Sequence, residues 1–191
     1  MKYVTLGNTG IKVSRLGIGG AEFHRHEEQN TDLVVGKVLN IALDEGINFL
    51  DTAACYARNE VLIGKTVSHR RNEYVLATKC GHNSGLGELK DWDPSTIEAS
   101  VERSLKRLKT NHVDVLQLHS CGLSELEAGY AIETVKRIQE KGKTRFIGYS
   151  GDNEPAMWAV QSEAFDTLQI SVSVADQRAR SMGILALAKR S

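Results

Sequence analysis

Asp51, Tyr56, Lys79 and His119 supply a carboxyl, a phenol, an amine and an imidazole. These are groups that hold or hand over protons beside a reacting atom. Three of them sit in apolar runs: Asp51 in NFLDTA (48–53), Lys79 in YVLATKC (74–80) and His119 at the close of VDVLQLH (113–119). Tyr56 follows five residues after Asp51. Taken singly, each has a plain explanation. Asp51 could cap a turn, Tyr56 could be an amphipathic loop residue, and His119 could be a hydrogen-bonded core histidine. Lys79 is harder to explain away, because lysine is almost never buried in an apolar strand without a partner. If the runs are strands of one parallel barrel, their ends converge on one mouth and the four residues form a site.

The elements needed for that convergence can be read along the chain. Lys2–Val13 reads as two short strands around the turn-rich Gly7-Asn8-Thr9-Gly10. Strands are expected at Arg15–Gly19, Asn48–Ala53, Tyr74–Cys80, Val113–His119, Arg145–Ser150, Thr167–Val172 and Gly183–Lys189. Between them, helices are expected at Thr31–Glu45 (Thr31 as cap, Gly46 as stop), Asn59–Ser68, Asp93–Leu108 (Asp93 as cap, Pro94 at its first position), Glu125–Lys141 (closed by Gly142) and Glu154–Ser162. Strands alternating with helices make βαβ units and a parallel sheet covered by helices.

Two parallel architectures compete. A doubly wound sheet would place a phosphate-binding glycine turn after the first strand. The candidate, Gly17-Ile18-Gly19-Gly20-Ala21-Glu22, has Glu22 where the fingerprint requires Gly or Ala. The expectation is therefore a parallel (β/α)8 TIM barrel with an N-terminal β-hairpin. Seven barrel strands are counted and no eighth, and barrels typically need about 250 residues, so the barrel is expected to be incomplete at its C-terminal end. The segment between the strands Thr167–Val172 and Gly183–Lys189 is too short for a parallel crossover. Residues are therefore expected to be missing between about Val174 and Met182 and again after Ser191. Without a composition break or low-complexity linker, residues 1–191 read as one partial domain.

At this point the sequence resembles the aldo/keto reductase family. GINFLDTAACYARNEVLIGK (46–65) is similar to the family signature, with Asp51, Thr52, Ala53, Tyr56, Glu60 and Gly64 at its spacing. LATKCG (76–81) resembles the strand bearing the catalytic lysine, and SLKRLKTNHVDVLQLH (104–119) the segment ending in the catalytic histidine. GKTRFIGYS (142–150) and the Leu168-Gln169 pair resemble the motifs that follow. The resemblance implies reduction of aldehyde or ketone carbonyls with NADPH, or with NADH. Tyr56 would donate the proton, Lys79 would lower its pKa from the usual value of about 10, Asp51 would pair with Lys79, and His119 would orient the carbonyl oxygen. Gly20, Asp51, Ser150 and Gln169 would contact the cofactor. Lys189 stands about where many members carry an aromatic that stacks on the nicotinamide.

Composition limits the alternatives. Lys+Arg and Asp+Glu both number 24, so the charge is balanced and gives no case for nucleic acid or an anionic membrane as partner. No apolar run is long enough to span a bilayer and the N-terminus lacks a signal-peptide core. Cys55, Cys80 and Cys121 make neither a disulfide framework nor a zinc pattern, so a cytoplasmic setting and no metal are expected; a small carbonyl substrate is what the resemblance implies. His24 and His26 read as a solvated loop or pocket rim, and Trp92 as a pocket wall or surface anchor. The competing functional readings are a truncated, non-catalytic barrel remnant and a regulatory or binding protein of the same fold. Oligomeric state is open.

Overall fold

The structure, a computed structural model, describes residues 1–25 and 31–190. His26 and the side chains of His24 and Thr31 lie outside what is described, so the expectations placed on them have no structural counterpart.

The chain opens with an antiparallel hairpin, β1 (Tyr3–Thr5) and β2 (Lys12–Ser14), in register Val4 to Val13. The parallel strands β3 (Ile18–Gly19), β4 (Phe49–Asp51), β5 (Val75–Cys80), β6 (Val113–His119), β7 (Thr144–Ser150) and β8 (Thr167–Gln169) follow. They pair strictly in chain order, β3-β4-β5-β6-β7-β8. A doubly wound sheet reverses its order at a switch point. This sheet never reverses; it curls as a half-barrel. Its outer face is covered by α1 (Thr31–Asp44), α2 (Asn59–Thr66), α3 (Pro94–Leu108), α4 (Leu123–Ala128), α5 (Tyr130–Glu140) and α6 (Asn153–Gln161). Two short helices close the chain, α7 (Arg178–Ser181) and α8 (Ile184–Ala188).

Three expectations are corrected. The barrel has six strands among the described residues, not seven, because Gly183–Lys189 is not a strand. Its Leu, Ala and Lys residues favour helix and only Ile184 is β-branched, while Gly183, at φ 77°, separates α8 from α7. With no strand there, the apparent lack of a parallel crossover after β8 disappears. The helix expected at Glu125–Lys141 is two helices, broken at Gly129, which adopts φ 80° at no steric cost. Pro94 does open α3, but Asp93 makes no side-chain cap bond there.

Strand parity decides what faces the site. Residues two apart along a strand share a face. Leu50, Leu76, Leu116, Leu118 and Ile147 point outward into a core with Leu39, Leu62, Ile97, Leu105 and Val135 of the helices. Phe49, Val75 and Phe146 point inward at the amino ends of the strands, where they pack on Ile11 and Val13 of the hairpin. The hairpin therefore plugs the floor of the half-barrel. Above that floor, the same inward parity carries Asp51, Lys79, Gln117, His119, Ser150 and Gln169 toward the carboxyl ends. Lys79 pairs with Gln117, His119 with Ser150, and Ser150 with Gln169.

Candidate active site

Lys79 is 2 % exposed, and its Nζ lies 2.7 Å from both Asp51 carboxylate oxygens. It donates further to the Thr52 carbonyl oxygen at 2.9 Å. All three ammonium protons thus have acceptors, which is what makes a buried lysine tolerable. Asp51 Oδ2 also accepts from Gln169 Nε2 at 3.1 Å, and Gln117 Nε2 donates to Gln169 Oε1 at 2.9 Å. A polar chain therefore links β4, β5, β6 and β8 across the inner face.

The loop after β4 carries Tyr56 over this pair, with the Lys79 Nζ 5.1 Å from the phenol ring centre. Backbone bonds pin the loop: Ala54 N–H donates to the Lys79 carbonyl at 3.1 Å, and Arg107 donates to the Ala54 carbonyl at 3.1 Å. Glu60, buried on α2, accepts from Thr78 at 2.8 Å and faces Arg107, so α2 is fixed against β5 and α3. Gly64 permits that approach: a Cβ there would lie against the Arg107 carbonyl oxygen and 2.9 Å from the Leu108 carbonyl carbon.

His119 meets the Tyr56 ring edge-on at 5.7 Å between centres and His82 at 5.0 Å. Its Nδ1 lies 3.3 Å from Cys55 Sγ. Trp92 donates from its indole to the His119 carbonyl at 3.0 Å, which makes it an anchor of the strand end. Backbone strain gathers around the same mouth: Ala57, Trp92 and Ser120 have φ of 43°, 60° and 51°. Non-glycine residues in this region are uncommon and cluster at functional sites.

Charge and burial set the proton affinities. Burial, with the Lys79 and His82 charges, pushes His119 down to about 4, so its imidazole is neutral near pH 7. Burial also pushes Tyr56 up to about 12, aided by the Asp51 carboxylate and by Cys55. This corrects the expectation that Lys79 lowers the phenol pKa. Burial is the largest cause, and the Asp51 carboxylate that clasps the ammonium adds to it.

Asp51, Tyr56, Lys79 and His119 are thus brought to one mouth, with Ser150 and Gln169 on the adjoining strand ends. The Ser150 hydroxyl makes no hydrogen bond among the described residues, and the Gln169 amide keeps one N–H and one lone pair free beyond its two bonds. Both can serve an added amide group. Gly20 needs no ligand to explain it: a Cβ would come 3.2 Å from the Asp51 carbonyl oxygen. Lys189 lies elsewhere, in a cleft of about 700 Å³ with Leu6–Thr9 and the start of β8. That cleft is at the floor, away from the strand ends that carry the polar cluster. His82 and Asp91 were not expected at the site; His82 Nδ1 and Asp91 Oδ2 are 2.8 Å apart. The available signal was position, since both follow β5, whose end lies at the mouth. Cys80 and Cys121 are buried in the core. Among the described residues no group of three His, Cys, Asp or Glu side chains could hold a metal, and no helix is long and apolar enough to cross a membrane.

Comparison with known proteins agrees with this geometry. A sequence model of the aldo/keto reductase family matches residues 15–190. An uncharacterized oxidoreductase of Bacillus subtilis, YqkF, is 36 % identical over 155 residues, 78 % of this chain and 49 % of that protein. L-galactose dehydrogenase of Arabidopsis thaliana is 33 % identical over 157 residues, 76 % of this chain and 47 % of that protein. The chain therefore spans about half the length of the curated relatives it matches. Among solved structures, the aldo-keto reductase AKR11C1 of Bacillus halodurans superposes with a TM-score of 0.84 at 27 % identity, covering 98 % of this chain and 64 % of that one. PA4992 of Pseudomonas aeruginosa superposes at 0.86 and 29 %, covering 98 % and 74 %.

Proposed function

Because the chain belongs to the aldo/keto reductase family, we propose that its strand-end cluster reduces aldehyde or ketone carbonyls to alcohols, with NADPH or NADH as reductant. The carrying observation is the buried Lys79–Asp51 pair lying directly beneath a phenol and a neutral imidazole. A buried ion pair is weak evidence for stability alone, and this one ties together the strand ends that carry the site.

A reduced nicotinamide dinucleotide, held by Ser150 and Gln169 through its carboxamide, would supply the hydride. Every other contribution comes from the chain. His119, as a neutral imidazole, offers a hydrogen bond to the carbonyl oxygen, which gathers negative charge as the carbon is reduced. The Tyr56 hydroxyl passes its proton to that oxygen. At about 12 the phenol is fully protonated near neutrality and remains a much stronger acid than the alcohol formed. The resulting phenolate regains a proton from water. Lys79 and Asp51 hold the floor on which Tyr56 sits, and Gln169 ties Asp51 to β8.

The test is direct. The purified chain is titrated with NADPH and NADH, followed by nicotinamide fluorescence, and is then given a set of aldehydes and ketones. Saturable cofactor binding with alcohol formation supports the reading. Absence of cofactor binding at millimolar concentration rejects it. The substrate and the preference between the two cofactors are read from the same assay.

A further inference from the structure

Cys55 touches the site but serves none of the steps above. Its Sγ lies 3.3 Å from Nδ1 of His119, and the pinned backbone on either side of it fixes that approach: Ala54 N–H is bonded to the Lys79 carbonyl and Tyr56 N–H to the Ala53 carbonyl, both at 3.1 Å. No other hydrogen bond reaches the His119 ring among the described residues; Tyr56 and His82 meet it only as rings.

A neutral imidazole carries one N–H and one lone pair, and the bond made by one nitrogen decides the state of the other. His119 is neutral near pH 7, so it can donate to a substrate oxygen from Nε2 only if Nδ1 is the bare nitrogen. Burial pushes the Cys55 thiol up, which keeps its proton on sulfur. Two pairings are then possible, S–H to nitrogen or N–H to sulfur. Imidazole nitrogen is a strong acceptor and thiol sulfur a weak one, so the first is preferred.

We infer that Cys55 donates its S–H to Nδ1 of His119 and holds the ring in the tautomer protonated at Nε2. Cys55 is then a positioning residue, acting through His119, for the hydrogen bond offered to a carbonyl oxygen. The positioning role rests on the proposed function; the tautomer assignment does not.

The two parts are tested separately. The chain is labelled with 15N-histidine and its long-range nitrogen–proton correlations are recorded near pH 7. Wild type and Cys55→Ser, which keeps a donor, should show His119 protonated at Nε2 alone. Cys55→Ala should show a mixture of tautomers. A proton on Nδ1 in wild type, or an unchanged tautomer in Cys55→Ala, overturns the assignment. In turnover, Cys55→Ala should lower kcat about two- to tenfold, the worth of one neutral hydrogen bond, with little change in KM for the cofactor and with recovery in Cys55→Ser. An unaltered kcat beside an altered tautomer overturns the positioning role. A wild-type chain that reduces no carbonyl overturns that role together with the proposed function, and the tautomer is still decided by the spectra.

Discussion

Lys79→Met is the perturbation whose cost can be worked most fully from the structure. The change keeps most of the apolar stem and deletes the ammonium. Three hydrogen bonds disappear, two to Asp51 at 2.7 Å and one to the Thr52 carbonyl at 2.9 Å. Asp51 is left with the Gln169 amide at 3.1 Å as its side-chain donor. Removing one partner of a buried pair typically costs about 3–5 kcal/mol because the other charge is stranded. Asp51 is 14 % exposed at its side chain, so water recovers part of that, and we expect about 2–4 kcal/mol. For a chain of this size that lowers Tm by about 5–15 °C. Urea unfolding is the assay, and the midpoint should fall with the slope unchanged. Adding Asp51→Asn removes the stranded charge, so the double variant should be more stable than Lys79→Met alone. A Lys79→Met chain within about 0.5 kcal/mol of wild type, or strictly additive variants, would refute the reasoning, since surface changes commonly stay within that range.

Two further predictions concern the frame. Asp114, 6 % exposed at its side chain, accepts from Arg71 at 2.7 Å, Arg145 at 2.8 Å and the Leu76 amide at 2.9 Å. Burial alone would raise its carboxyl, but the Leu76 amide and the two arginines outweigh that and hold it below the usual value. Its stabilising contribution is therefore complete above the unfolded carboxylate value of about 3.9 and drains away as pH falls through that value toward the lower folded one. Asp114→Asn should cost about 1–3 kcal/mol near neutrality and flatten the acid limb of a stability-versus-pH curve measured by urea unfolding. Gly64→Ala gains about 1 kcal/mol of helix propensity but drives a methyl into the α3 backbone. Overpacking of about 1–3 kcal/mol wins, and thermal unfolding should show a lower Tm.

Much of the site was legible because parity carries it. Asp51, Lys79 and His119 interrupt apolar strands at inward positions, and a parallel half-barrel brings inward positions at strand ends together. What escaped has physical reasons. A short apolar run such as Gly183–Lys189 has no periodicity to separate strand from helix. Gly129 looks tolerable inside a helical pattern until its φ is known. The Tyr56 proton affinity depends first on how deeply the phenol is buried and then on the Asp51 carboxylate near it, neither of which any spacing records. Cys55 and His119 are 64 residues apart, and their contact joins the loop after β4 to the end of β6, a meeting that only the folded chain defines.

The central claim is that Tyr56 delivers the proton to a carbonyl oxygen, and Tyr56→Phe tests it most directly. The variant keeps the ring that packs on Lys79 and His119 and removes only the hydroxyl. Carbonyl reduction by the purified chain is followed by loss of nicotinamide absorbance, with cofactor affinity measured in parallel by fluorescence. A positioned proton donor contributes about 10²–10⁴-fold, so kcat should fall by that factor while cofactor affinity stays within about twofold, as removal of an interaction made only in the transition state requires. Turnover within a few-fold of wild type would show that another group supplies the proton and would contradict the account.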